Sequence, residues 1–182
     1  VLEPRALYLY AQDPEDRSRH CISNLSINNS DSIFEEISIN DNDQMVLSSN
    51  NSIVPLNSTD AIKRFFSSYT FQVLYLEVTG MCCRLVAPLM KFAIQNGIKT
   101  NIVYSEPKEY LLAEFQKEGL NKDLSESVEG VSPLPGFIRL VPFKEEPIFV
   151  TLLGFEGGRF SYLVTNKQPS YDKILPIVGV PG

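Results

Sequence analysis

Two hydrophobic rhythms run through this chain. Short continuous apolar runs, the pattern of strands buried on both faces, occur at residues 6–11, 71–78, 99–104 and 148–153. Residues 33–39 and 174–178 read as two further strands, and Pro176 places the last at a sheet edge. Helical spacing fills the intervals. Asp13-Pro14-Glu15-Asp16 opens a helix that runs to about residue 24, with Pro at the first helical position and acids in the first turn. Ser58-Thr59-Asp60 caps a helix over 61–69. Leu85, Leu89, Phe92 and Ala93 form an apolar stripe within 81–96, closed by Gly97. Pro88 in that stretch is tolerated if the regular helix begins near Ala87, and kinks the helix otherwise. Residues 107–119 and 154–166 give two more helices. Residues 40–57, dense in Asn, Asp and Ser, predict an irregular and exposed segment, and 121–136 predicts a long loop.

Strands and helices therefore alternate from end to end. That order predicts an α/β fold with a mainly parallel, Rossmann-like sheet and helices on both faces. The runs at 6–11, 71–78, 100–104 and 149–153 are expected as neighbouring parallel strands of one sheet. A length of 182 residues suits a single α/β domain over 1–182. The opening Val1 and the ending just past a strand lead us to expect part of a longer chain.

Charge and cysteine usage narrow the partners. A net charge of −6 opposes non-specific binding to nucleic acid, although a local basic pocket remains compatible with it. No run is long and apolar enough to span a bilayer, and no signal peptide opens the chain, so no membrane partner is expected. Cys21, Cys82 and Cys83 are odd in number and two are adjacent. Reduced thiols and a cytoplasmic setting follow as the expectation.

In open parallel sheets, ligands bind beyond the carboxyl ends of the strands. Four such ends carry charge here: Asp16, Arg17 and Ser18 after the first strand, Glu77 and Arg84 around residue 78, Glu106 after residue 104, and Glu156, Gly157, Gly158 and Arg159 after residue 153. Three of them place Arg near a helix start, where free backbone N–H groups already favour anions. Arg17, Arg84 and Arg159 can thus share one anion pocket, or each can pair locally with Asp16, Glu77 and Glu156. Gly157-Gly158 permits close backbone approach to a ligand, or is an ordinary tight turn. Neither the dinucleotide nor the Walker glycine pattern is present. Asp16, Glu77, Glu106 and Glu156 would be the ligands of a Mg²⁺ reading, which no spacing favours, so no metal site is assigned. His20 is the single histidine, which leaves little room for Ser–His or Cys–His chemistry, and no catalytic residue is assigned. Cys82 and Cys83 are expected as buried packing thiols.

The segments Tyr104-Ser-Glu-Pro-Lys-Glu-Tyr110, Leu134-Pro-Gly-Phe137, Gly154-Phe-Glu-Gly-Gly-Arg159 and Val178-Gly-Val-Pro-Gly182 resemble a pattern in uncharacterised bacterial Rossmann-like α/β proteins. The resemblance implies the fold class and a cytoplasmic setting, and no activity. From the residues themselves, the leading expectation is a nucleotide- or phosphate-anion-binding domain, with a sensor or regulatory role. The alternatives are a Mg²⁺-dependent phosphoester-cleaving enzyme and an interaction domain without a small-molecule site. No cofactor is identified.

Overall fold

The computed structural model describes residues 2–12, 22, 25–106, 133–137, 146–153 and 158–178. The chain forms two compact units, Val1–Lys108 with Pro133–Ile138, and Glu109–Ser132 with Arg139–Gly182.

The first unit holds a six-stranded sheet: β1 (Ala6–Tyr10), β2 (Ile33–Ile39), β3 (Gln44–Leu47), β4 (Ile53–Pro55), β5 (Val73–Glu77) and β6 (Thr100–Val103), in the order β4-β3-β2-β1-β5-β6. β2, β1, β5 and β6 run parallel, and β3 and β4 add an antiparallel meander. The α/β, mostly parallel character expected from the alternation is present.

Register sorts the side chains of β1 and β5 into two apolar layers. Leu7 stands beside Leu74 and Leu9 beside Leu76 on one face, while Ala6–Val73 and Tyr8–Tyr75 share the other. On the leucine face lie α1 (Thr59–Ser67) and α2 (Cys83–Gln95), through Phe65, Phe66, Leu85, Leu89 and Phe92. Phe66 and Phe92 stack at 5.2 Å and join the two helices. The other face is aromatic: Tyr8 lies 5.3 Å from Phe34 and 6.1 Å from Tyr75, ring centre to ring centre. Leu25, in a helical stretch described at residues 22 and 25–28, packs there with Leu2. Helical residues thus cover both faces. The helix expected from Asp13 and that over 107–119 lie mostly or wholly outside the described residues.

Helix ends follow the sequence signals. Ser58 Oγ accepts from the Ala61 N–H at 3.3 Å. Gly97, at φ +63°, closes α2: its N–H reaches the Ile94 carbonyl and the Ile98 N–H reaches that of Ala93. α2 begins at Cys83, not near Ala87, so Pro88 lies inside it. Lacking an N–H, Pro88 leaves the Arg84 carbonyl without its helical donor.

Two expectations fail. Residues 40–57 are not irregular throughout. They contain β3 and β4, with Met45, Leu47, Val54 and Leu56 buried. Their apolar residues recur at a period of two on both sides of a turn, enough for a hairpin once β2 offers a partner. Nor does the run at 149–153 join the first sheet. It forms β7 (Phe149–Leu153), paired in parallel with β8 (Ile174–Val178) in a separate two-stranded sheet of the second unit. Apolar character specifies a strand but not its neighbour, and β8 is one short crossover away, through α3 (Gly158–Lys167) and a single 3₁₀ turn (Tyr171–Lys173). Among the described residues no helix is long and apolar enough to cross a membrane.

The hairpin gives a direct test. The Leu47 and Leu56 N–H groups donate to the Ser52 and Asp43 carbonyls at 3.0 and 3.1 Å. In hydrogen-exchange mass spectrometry or NMR they should exchange at least about a hundredfold more slowly than the turn residues Asp41 and Asn50. Exchange at the same rate would mean that β3 and β4 do not form.

Candidate functional site

The strand order reverses at β1. From β1 the chain moves to β2 on one side, past Leu25 on the aromatic face. From β5 it moves to β6 on the other side, through α2 on the leucine face. Two crossovers that leave neighbouring strands in opposite directions open a crevice between their carboxyl ends. By this rule the candidate crevice lies between Ala11 and Gln12 beyond β1 and residues 77–84 around the end of β5.

The β5 side is built around a buried carboxylate. Glu77 has no exposed surface. Its oxygens accept the Thr79 N–H at 3.1 Å and the Gly80 N–H at 3.4 Å. A charge removed from water needs such donors, and in return it fixes the course of the loop into α2. Thr79 Oγ1 then accepts the Ser105 N–H at 2.8 Å, tying the end of β6 to the same loop. Glu106 is exposed just beyond.

At the start of α2, Cys82 is the cap residue and makes no side-chain capping bond. No side chain of the cap therefore satisfies the first free N–H groups of the helix. Arg84 stands in that first turn. It pairs not with Glu77, as the local reading expected, but with Asp43: Nε lies 2.7 Å and a terminal nitrogen 2.5 Å from Asp43 Oδ1. The partner is presented by the β2–β3 turn. Asn40 Oδ1 accepts the N–H groups of Asn42 and Gln44, and Asp43 sits at φ +56°, a conformation that Asp and Asn tolerate best after Gly. The side chains of Arg84 and Asp43 are each about two-fifths exposed, at 38%, so the pair is worth at most about 1 kcal/mol.

The β1 side carries a second polar pair. Gln12 Nε2 donates to Glu36 Oε2 at 2.9 Å. Glu36 stands beside Tyr10 in the register. Burial raises the Tyr10 phenol above its ordinary range, and the Glu36 and Glu35 charges add to the shift.

Of the expected site residues, Glu77, Arg84 and Glu106 are described and lie at this one edge. Asp16, Arg17, Ser18, Glu156 and Gly157 lie outside the described residues, Gly158 opens α3, and the Arg159 side chain is also outside them. Gln12, Glu36 and Asp43 were missed. Asp43 had a signal in the Asn40–Asp43 turn chemistry, but its pairing across 41 positions had none. The expectation of buried thiols is overturned, since Cys82 and Cys83 are both exposed. Counting back from Leu85 puts Cys82 on the apolar stripe, yet its extended backbone, φ −76° and ψ 159°, takes it off the helical path. Among the described residues no three His, Cys, Asp or Glu side chains gather as a metal site.

Away from the crevice, a groove of about 330 Å³ runs between β4 and α1, with Leu47, Val54 and Phe65 in its lining. Comparison with protein-family models, curated proteins and solved structures finds no match to this chain.

A second buried carboxylate, Glu35, locks this groove's wall. It accepts from the Tyr69 hydroxyl at 3.0 Å and from Ser49 Oγ and N–H at 2.9 and 3.2 Å. Burial, followed by the hydrogen bond and charge of Glu35, pushes the Tyr69 phenol up to about 12. The folded chain thus holds this proton more tightly than the unfolded chain, whose phenol titrates near 10. The stabilisation is complete below pH about 10 and is lost as pH rises toward 12. Tyr69→Phe should remove one late phenolate from the ultraviolet titration and flatten this part of the stability profile. It should also cost about 1 kcal/mol at neutral pH, the worth of one hydrogen bond. An unchanged late titration would place the raised phenol elsewhere.

Proposed function

We propose that the first unit is a Rossmann-like domain that binds a nucleotide in the crevice between β1 and β5, and that it serves as a sensor or regulatory module. One arrangement carries this reading: an uncapped helix start with Arg84 on one side of the switch point, and Gln12 with Glu36 on the other. The helix start and Arg84 favour phosphate. The Glu36 carboxylate accepts from sugar hydroxyls, as an acid beside the first strand does in dinucleotide-binding sheets. A nucleotide satisfies both sides, whereas inorganic phosphate satisfies only one. Asp43 occupies Arg84 and is the competitor that the phosphate must displace.

A second reading, an interaction domain, has one observation in its favour. Val150 stands beside Leu175 and Leu152 beside Ile177 on β7 and β8, and all four are exposed, Leu152 at 80%. Apolar parallel strands are ordinarily covered on both faces. The phosphoester-cleaving alternative has no comparable support, because Glu77 points inward onto its own loop.

Thermal denaturation with ATP, adenosine and inorganic phosphate, each with and without a chelator, separates these readings. At a hundred times its Kd a ligand stabilises by about 2.7 kcal/mol, which for a chain of this size raises Tm by roughly 5–10 °C. ATP should stabilise most, and the chelator should not matter. Arg84→Ala should remove the phosphate contribution, Asp43→Asn should strengthen it, and Glu36→Gln should weaken ATP and adenosine but spare phosphate. No response to any of the three would reject the nucleotide reading. A response abolished by the chelator would favour the enzyme. Concentration-dependent mass in light scattering, lost in Leu152→Glu, would favour the interaction domain.

A further inference from the structure

Cys82 and Cys83 are adjacent, both exposed, and in no disulfide. Neither thiol makes a hydrogen bond among the described residues, and the cap position of Cys82 uses only its backbone. The chain on either side is held firmly. Met81 and Leu85 are buried, and the Cys82 carbonyl accepts the Leu85 and Val86 N–H groups at 3.0 and 3.1 Å. A fixed backbone thus presents two free thiols to solvent.

Two outcomes are open to such a pair: a bond to each other, or a shared bond to a third atom. The first is disfavoured. Neighbouring Cα atoms lie about 3.8 Å apart across a trans peptide, inside the roughly 4.4–6.8 Å that a disulfide ordinarily spans. One bridging atom enlarges the ring and relieves that compression. Soft thiolate ligands select soft centres. We infer that Cys82 and Cys83 form a two-sulfur chelating site for a soft, thiophilic centre of the trivalent organoarsenical class. The pair shares the start of α2 with the proposed phosphate site, but it uses the two thiols and neither Arg84 nor the crevice acids.

Phenylarsine oxide is the probe. Each thiol gives its proton to the arsenic-bound oxygen, two As–S bonds form, the As–O bond is lost and one water leaves. Arsenic remains trivalent and neither sulfur is oxidised, so no further reactant is required. One equivalent added to the intact chain should raise its mass by one phenylarsenic unit less two hydrogens. Of the three cysteines in the chain, two should become unreactive to a thiol reagent. The adduct should survive excess monothiol and be removed by 2,3-dimercaptopropanol. Cys21→Ser should retain it. Cys82→Ser and Cys83→Ser should each bind about a hundredfold more weakly, as expected when a second, linked contact is lost. The inference is overturned if no monothiol-resistant adduct forms. It is equally overturned if the adduct persists in either single variant, or disappears in Cys21→Ser, which would make Cys21 a partner. Adduct formation is read by mass on the chain without nucleotide, so its failure and the failure of the nucleotide reading are distinguishable.

Discussion

β1 has no wet side. Ala6, Leu7, Tyr8 and Leu9 are all at 0% exposure, because parallel strands flank β1 at both edges and apolar layers cover it on both faces. A strand so enclosed demands cover above and below, and two crossovers must supply it from opposite sides. α2 lies on the leucine face and the 25–28 stretch on the aromatic face. The reversal in strand order follows from that division, and with it the crevice at the carboxyl ends of β1 and β5. The charged edge at those ends is thus a consequence of how the core is closed.

The same closure governs the charges at that edge. Counted from sequence, the edge holds Glu36, Glu77, Glu106 and Asp43 against Arg84, a poor prospect for any anion. Counted in the fold, the balance is less hostile. Glu77 is turned inward and met by two N–H groups, and Asp43 is met by Arg84. Two unit charges 4 Å apart interact by about 1 kcal/mol in water and about 4 kcal/mol at the dielectric of a protein surface. Breaking the Arg84–Asp43 pair is therefore a modest exchange in the phosphate binding we propose, and Glu36, which already accepts from Gln12, keeps acceptor capacity for hydroxyl groups.

Much of the first unit was legible in its residues. The runs at 6–11, 71–78 and 99–104 became β1, β5 and β6, and Ser58 and Gly97 marked helix ends as their chemistry requires. The hairpin was hidden by composition: Asn, Asp and Ser dominate 40–57, but Met45, Leu47, Val54 and Leu56 keep a period of two, and position outweighed polarity. The partner of β7 was not legible, because a buried strand carries no address for its neighbour. Nor was the exposure of Cys82, which depends on one ψ angle at a cap. Arg84 was correctly placed at a helix start, while its partner came from a turn distant in sequence, a contact that only the folded sheet brings about.

The two buried carboxylates show how the unit uses charge to fix shape. Glu35 lies on the leucine face and draws in a phenol, a hydroxyl and one backbone N–H from two separate segments. It clamps the β3–β4 hairpin and the end of α1 together. Glu77 lies on the opposite face and draws in two N–H groups from its own loop. One bridges elements and the other shapes a turn. Each carries a burial cost that a neutral apolar residue would avoid. What each gains is a single geometry. At the end of β5 that geometry is the path into α2, and therefore the direction in which the start of α2 faces the crevice.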